Sequence, residues 1–166
     1  MSINLGLKSM KVKILAVGKT DDKNLVILID KYMKRLKHYL NVTLETLPDV
    51  KNVKNLSEKE QKRIEGESLL KKIQNSDHVV LLDENGKEFK SIEFSKYLQK
   101  KMNAGTRNLV LVIGGPYGFS DSVYQRANGK LSLSKMTMSH QMIRLFLVEQ
   151  VYRAFTILRN EPYHHE

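Results

Sequence analysis

The sequence predicts an α/β protein with a mostly parallel sheet flanked by helices, and three observations predict it. Short β-branched runs such as "KVKILAV" and "LVLVI" alternate with longer stretches whose apolar residues recur at helical spacing. Glycines gather at the end of a late strand, in "IGGPYGFS". No repeat and no linker divides the 166 residues, a length that one domain fills with a sizeable core.

In chain order, residues 1–9 show no pattern and are set apart as an N-terminal extension, leaving a single domain over 10–166. "KVKILAVGK" is a first strand ending at Gly18. Thr20 and Asp21 are placed to cap the next helix, where Leu25, Leu28, Ile29, Tyr32, Met33 and Leu36 mark one face. "NVTLETLP" alternates and stops at Pro48. A polar stretch then leads to Ser57, which forms a capping box with Glu60 for a helix running to about Gln74. Val79–Leu82 is the third strand, followed by a turn at Asn85-Gly86. A helix over Ser91–Met102, a strand over Leu109–Ile113, a short helix near Asp121–Ala127 and the brief strand "KLSLS" come next. The last helix, from "SHQMIRLF" onward, is apolar around most of its circumference, so it is buried or shared with another subunit.

Composition narrows the function. With 28 Lys+Arg against 18 Asp+Glu the formal charge is +10, which points to a polyanionic partner, RNA or DNA. A lysine-rich surface that only keeps the chain in solution is the plainer alternative. The absence of cysteine excludes disulfides, thiolate zinc sites and cysteine nucleophiles, and it fits the cytoplasm. No apolar run has the length of a membrane helix, the longest being broken by Gly114 and Gly115, and no signal-peptide pattern opens the chain. His164 and His165 are adjacent rather than at ligand spacing, so no metal is expected.

The glycine-rich turn raises the question of its ligand. Neither G-x-x-x-x-G-K-[ST] nor G-x-S-x-G occurs, and the first strand-helix turn, "AVGKTDD", has a single glycine. Phosphate-gripping loops, hydrolase elbows and the ordinary dinucleotide site are thereby excluded. In an open parallel sheet, ligands sit at the carboxyl ends of the strands.

"ILAVGK", "LLDENGK", "LVIGGPYG", "LSLSKMT" with "HQMIRLFLVEQVYRA", and "PYHHE" together resemble, in order and from Met10 to Glu166, the RlmH family of SPOUT-class methyltransferases. The resemblance implies a homodimer with a deep C-terminal trefoil knot. It also implies transfer of a methyl group from S-adenosylmethionine to N3 of a pseudouridine in 23S rRNA on the assembled ribosome, without a metal. The matching cofactor positions are Leu82, Gly114, Gly115, Leu133, Ser134, Lys135, Met136, Thr137 and Met138. The glycines would then let backbone approach the donor where a Cβ would collide. One departure is Ser139, where the family pattern has proline; serine is a good N-cap.

Arg153, Tyr163 and His164 are the catalytic candidates that the resemblance names. Arg153 would face the cofactor loop and stabilise the target base, against a plainer pairing with Glu149 four residues earlier. Tyr163 can stack on a base, and a histidine such as His164 can accept a proton; the tail would complete the site across the dimer. His140 is expected to be structural, and Glu149 and Gln150 fit dimer bonds or solvent equally. Two basic clusters, Lys34/Arg35/Lys37 and Lys51/Lys54/Lys62/Arg63, offer themselves to ribosomal phosphate or to water. A non-catalytic ribosome- or RNA-binding protein of the same fold, or a related tRNA methyltransferase, are the alternative readings.

Overall fold

The computed structural model describes residues 10–165; the extension at 1–9 lies outside them. Five parallel strands form one sheet: β1 (Lys11–Val17), β2 (Asn41–Leu47), β3 (His78–Glu88), β4 (Asn108–Ile113) and β5 (Gly129–Ser132), in the order β2-β1-β4-β3-β5. The helices are α1 (Lys23–Leu36), α2 (Glu58–Leu70), α3 (Ser91–Asn103), α4 (Asp121–Arg126) and α5 (Met142–Leu158). A single 3-10 turn, Val53–Asn55, breaks the polar stretch before α2.

The strands read as near-continuous apolar runs because both faces are covered. Val12, Ile14 and Ala16 of β1 join Leu109, Leu111 and Ile113 of β4 in a core that α1, α3 and α5 close. The intervening residues, Leu15, Val17, Val110 and Val112, face α2 and α4. On α5, Leu147, Val148, Val151, Ala154 and Phe155 are buried, while Met142 and Phe146 stay exposed on the outer side.

Four sequence expectations shift. Asp22, not Thr20 or Asp21, caps α1: its Oδ1 accepts from Asn24 N at 2.7 Å and Leu25 N at 3.3 Å. At α2, Ser57 Oγ accepts from Glu60 N at 3.1 Å, but the Glu60 carboxylate turns to Arg63, so only half of the capping box forms. That helix ends at Leu70, since Lys72 N and Ile73 N bond three residues back and Gln74 N turns to Asp77 Oδ2 at 2.9 Å. Asn85-Gly86 is no hairpin turn either. β3 runs through it with a register shift against β5 between Leu82 and Lys87. A Cβ on Gly86 would stand 2.6 Å from the Leu131 backbone, so this glycine permits the close approach of a neighbouring strand.

Candidate active site

A cavity of about 490 Å³ lies beside the middle of β3 and the carboxyl end of β5. Leu82, Asp83, Glu84 and Asn85 come from β3, Pro116–Phe119 from the loop after β4, and Tyr124 from α4. Leu131–Ser134, Met136–Met138 and Ile143 complete it, from β5, the following loop and the start of α5. No lysine or arginine lines it. Two further recesses, of about 310 and 570 Å³, lie toward the amino ends of the strands and are lined mainly by polar residues.

Local bonds shape the loop after β5. Ser132 Oγ donates to Ser134 O at 2.9 Å, and Ser134 Oγ accepts from Met136 N at 2.9 Å. Ser139 Oγ then accepts from Met142 N at 3.0 Å, across the turn that leads into α5. The loop is thereby set at both ends, and α5 starts at the cavity wall.

Of the expected cofactor positions, Leu82, Leu133, Ser134, Met136, Thr137 and Met138 line the cavity. Gly114, Gly115 and Lys135 do not, and Lys135 Nζ lies 3.6 Å from Glu88. The two glycines are needed for another reason. A Cβ on Gly114 would stand 3.0 Å from the Phe119 ring, and one on Gly115 would stand 2.5 Å from Glu65 Oε2. The crowding comes from the protein's own side chains, packed behind the turn whose next residues face the cavity.

Sequence reasoning missed Glu65. It is buried on α2, accepts from Gln61 Nε2 at 2.9 Å through Oε1, and leaves Oε2 without a partner. Burial raises its pKa, with Asp49 adding to the rise; Gln61 and His140 oppose it. His140 itself contributes a backbone carbonyl to Arg144. Arg144, also missed, is fully buried. It donates to Val17 O at 2.7 Å, Gly18 O at 2.8 Å, Thr20 Oγ1 at 2.9 Å and His140 O at 3.0 Å. One side chain thus fastens the start of α5 to the end of β1.

Arg153, Tyr163 and His164 come together, but elsewhere. Arg153 is ten residues from the cavity residue Ile143, about 15 Å along α5. Within one chain it does not line the cavity beside the loop after β5. Its Nη2 donates to Glu149 Oε1 at 2.7 Å, its Nη1 lies 3.3 Å from His164 Nδ1, and its guanidinium sits 4.7 Å from the Tyr163 ring centroid. Tyr163 donates to Glu149 Oε1 at 3.0 Å and packs edge-on to Tyr152. Its pKa is raised, first by burial and then by bonds to Tyr32 and Glu149. The Glu149 pairing and the clustering with the tail are both present. Gln150 binds Glu149 and Ser91 within the chain.

The basic clusters are partly committed as well. Lys34 pairs with Asp30 at 2.9 Å, Arg35 stacks on Tyr32 and Tyr152, and Arg63 is held by Glu60 and Glu67. Among the described residues no cluster of three or more metal-ligating side chains occurs, and no helix is long and apolar enough to cross a membrane.

Fold and cavity together define a parallel α/β protein whose late loops enclose a cavity without a phosphate clamp. Residues 10–164 match a family described as "Predicted SPOUT methyltransferase". A Flavobacterium johnsoniae protein named ribosomal RNA large subunit methyltransferase H is 62% identical over 95% of this chain and 100% of its own length. Relatives of the same name from Parabacteroides distasonis and Bacteroides thetaiotaomicron are 59% and 54% identical over equal shares of both chains. The chain belongs to the SPOUT methyltransferases, within the group that bears that name, and is a methyltransferase.

Proposed function

We propose that this methyltransferase, acting as a homodimer, moves a methyl group from S-adenosylmethionine to N3 of a pseudouridine in 23S rRNA on the assembled ribosome. The observation that carries the reading is the cavity built from Leu82–Asn85 of β3, the loop after β4 and the Leu131–Met138 segment. Its mixed apolar and polar lining, with no lysine or arginine among the described residues, fits an adenosine that bears no phosphate. When bound there, the donor supplies an electrophilic methyl on a sulfonium. The C-terminal knot is part of the same reading.

Two copies account for the distance between cavity and cluster. Met142, Phe146, Glu149 and Arg153 recur at helical spacing along the outer side of α5. Met142 and Phe146 are exposed there, as are Val26, Ile27 and Leu28 on α1, which packs beside α5. An isologous, antiparallel contact along this stripe would set the Arg153 end of one α5 against the cofactor-loop end of the other. The tail would complete the partner's site.

In that site Arg153 stabilises the pyrimidine as its N3 proton leaves, and Tyr163 offers its ring or hydroxyl to the base. Arginine only donates, so His164 Nδ1 accepts from it, and a neutral imidazole then carries its hydrogen on Nε2. That atom is buried without a partner. In this arrangement His164 gives a hydrogen bond to the base and does not remove the proton. Alignment of acceptor and methyl is worth potentially about 7–11 kcal/mol of the barrier.

The test uses ribosomes from a strain lacking the enzyme and donor labelled in its methyl. Label should enter 23S rRNA of assembled ribosomes, not free rRNA, and nucleoside mass mapping should place it on N3 of one pseudouridine. Ribosome binding without incorporation would favour the non-catalytic binding protein; label in tRNA would favour the tRNA enzyme.

A further inference from the structure

The charged side chains lining the cavity, Asp83 and Glu84, are both acidic, although the chain carries a formal charge of +10. Asp83 directly follows Leu82, where the regular pairing of β3 with β5 breaks off. Both of its oxygens are held from within the protein: Oδ1 accepts from Asn85 N at 2.8 Å, and Oδ2 accepts from the Tyr124 hydroxyl. A carboxylate oxygen has two acceptor positions, so each retains one for a ligand. Burial, then the bond to Asp83, pushes the Tyr124 pKa up to about 12, which keeps this hydroxyl a donor.

The lysines around the cavity meet other groups and do not themselves line it. Lys135 approaches Glu88 at 3.6 Å, Lys130 sits 5.7 Å from the Tyr124 ring centroid, and Lys87 sits 4.9 Å from the Phe89 ring centroid. Among the described residues no cation bridges to Asp83. An oriented carboxylate therefore forms part of a wall that, apart from Glu84, is otherwise uncharged.

We propose that Asp83, positioned by Tyr124, reads the sulfonium charge of the donor and so makes the cavity favour the methyl donor over its demethylated product. The proposal rests on the reading of this cavity as the S-adenosylmethionine site. In the transfer an N3–CH3 bond forms and the S–CH3 bond breaks. The electron pair of the broken bond stays on sulfur, the cationic sulfonium becomes a neutral thioether, and the N3 proton passes to solvent. The attraction to Asp83 ends in the same step, which assists product release. The adenine, ribose and amino-acid groups are common to donor and product, so contacts to them cancel in the ratio of affinities.

Calorimetric titration of the full chain with S-adenosylmethionine, S-adenosylhomocysteine and sinefungin tests this. Sinefungin carries an amine where the sulfonium methyl stands. Asp83→Asn should weaken the two cationic ligands about tenfold relative to the neutral thioether, as expected for one ion pair at a half-open wall. Tyr124→Phe, which keeps the charge but frees its orientation, should shift the ratio in the same direction by less. In the wild-type protein, with no mutation, the ratio of donor to product affinity should fall as salt rises from about 0.05 to 0.5 M. Equal losses for all three ligands, no loss, or a salt-independent ratio would overturn the assignment. A wild-type protein that binds none of them would instead overturn the reading of the cavity, and the assignment with it.

Discussion

Arg144 and Arg153 stand nine residues apart on one helix and meet opposite conditions. Nine residues are about two and a half helical turns, so the two side chains leave opposite faces of α5. Arg144 points inward, fully buried, and every partner it has is a carbonyl or hydroxyl of another segment or of the turn before it. Arg153 points outward, its side chain a quarter exposed, against a carboxylate, a tyrosine ring and a histidine. A buried cation bonded to backbone holds structure together. A partly exposed one among titratable and aromatic groups is available for chemistry.

The contrast is broken most severely at Arg144. Replacement by Leu leaves four acceptors, three of them carbonyls, without this donor and should cost about 3–5 kcal/mol, a large share of a typical domain's stability. Arg144→Lys should recover little of it, because one ammonium cannot reach the same fork of acceptors. Urea unfolding reads both. At Arg153 the order reverses. Arg153→Ala should lower methyl incorporation by at least about 100-fold, while stability falls by no more than about 1 kcal/mol, the range for a partly exposed pair. Single-turnover labelling beside a thermal melt separates the two.

Glu65 sharpens the comparison with a buried acid that lacks an ion-pair partner. Its raised pKa means that the folded state binds its proton more tightly than the unfolded chain does. Stability from this group is therefore present at low pH and is lost as pH rises from the ordinary carboxylate range through the folded value. Glu65→Gln should melt about 2–4 °C above wild type at pH 8, a shift that roughly 1 kcal/mol produces at this size. The gain should vanish near pH 4. The smallest effect is local: Asp22→Ala removes the α1 cap and should cost about 1 kcal/mol at unchanged donor affinity.

Much of the fold was legible because strand and helix periods are local properties. "KVKILAV", "NVTLETL" and the run from Asn108 to Ile113 carry their strands at nearly the expected limits. What misled was chemistry with two uses. Asn85-Gly86 has turn composition, yet the glycine serves the close passage of β5. Gly114 and Gly115 read as glycines for a ligand, and Phe119 and Glu65 add a second demand for them from within the protein. Motif resemblance pointed to the contiguous run Leu133–Met138, all of which except Lys135 lines the cavity. It did not single out Asp83 or Tyr124, whose association joins positions far apart in the chain.

By itself the sequence determined the strand and helix periods, the parallel α/β class, the excess of positive charge and the family, all of which follow from residue order or composition. Only the tertiary structure decided which arginine is buried, which glycines face protein, and that the cavity wall is acidic in a basic chain. Burial and charge environment are sums over residues from distant segments. Residue order reveals them only after the chain has closed around its core.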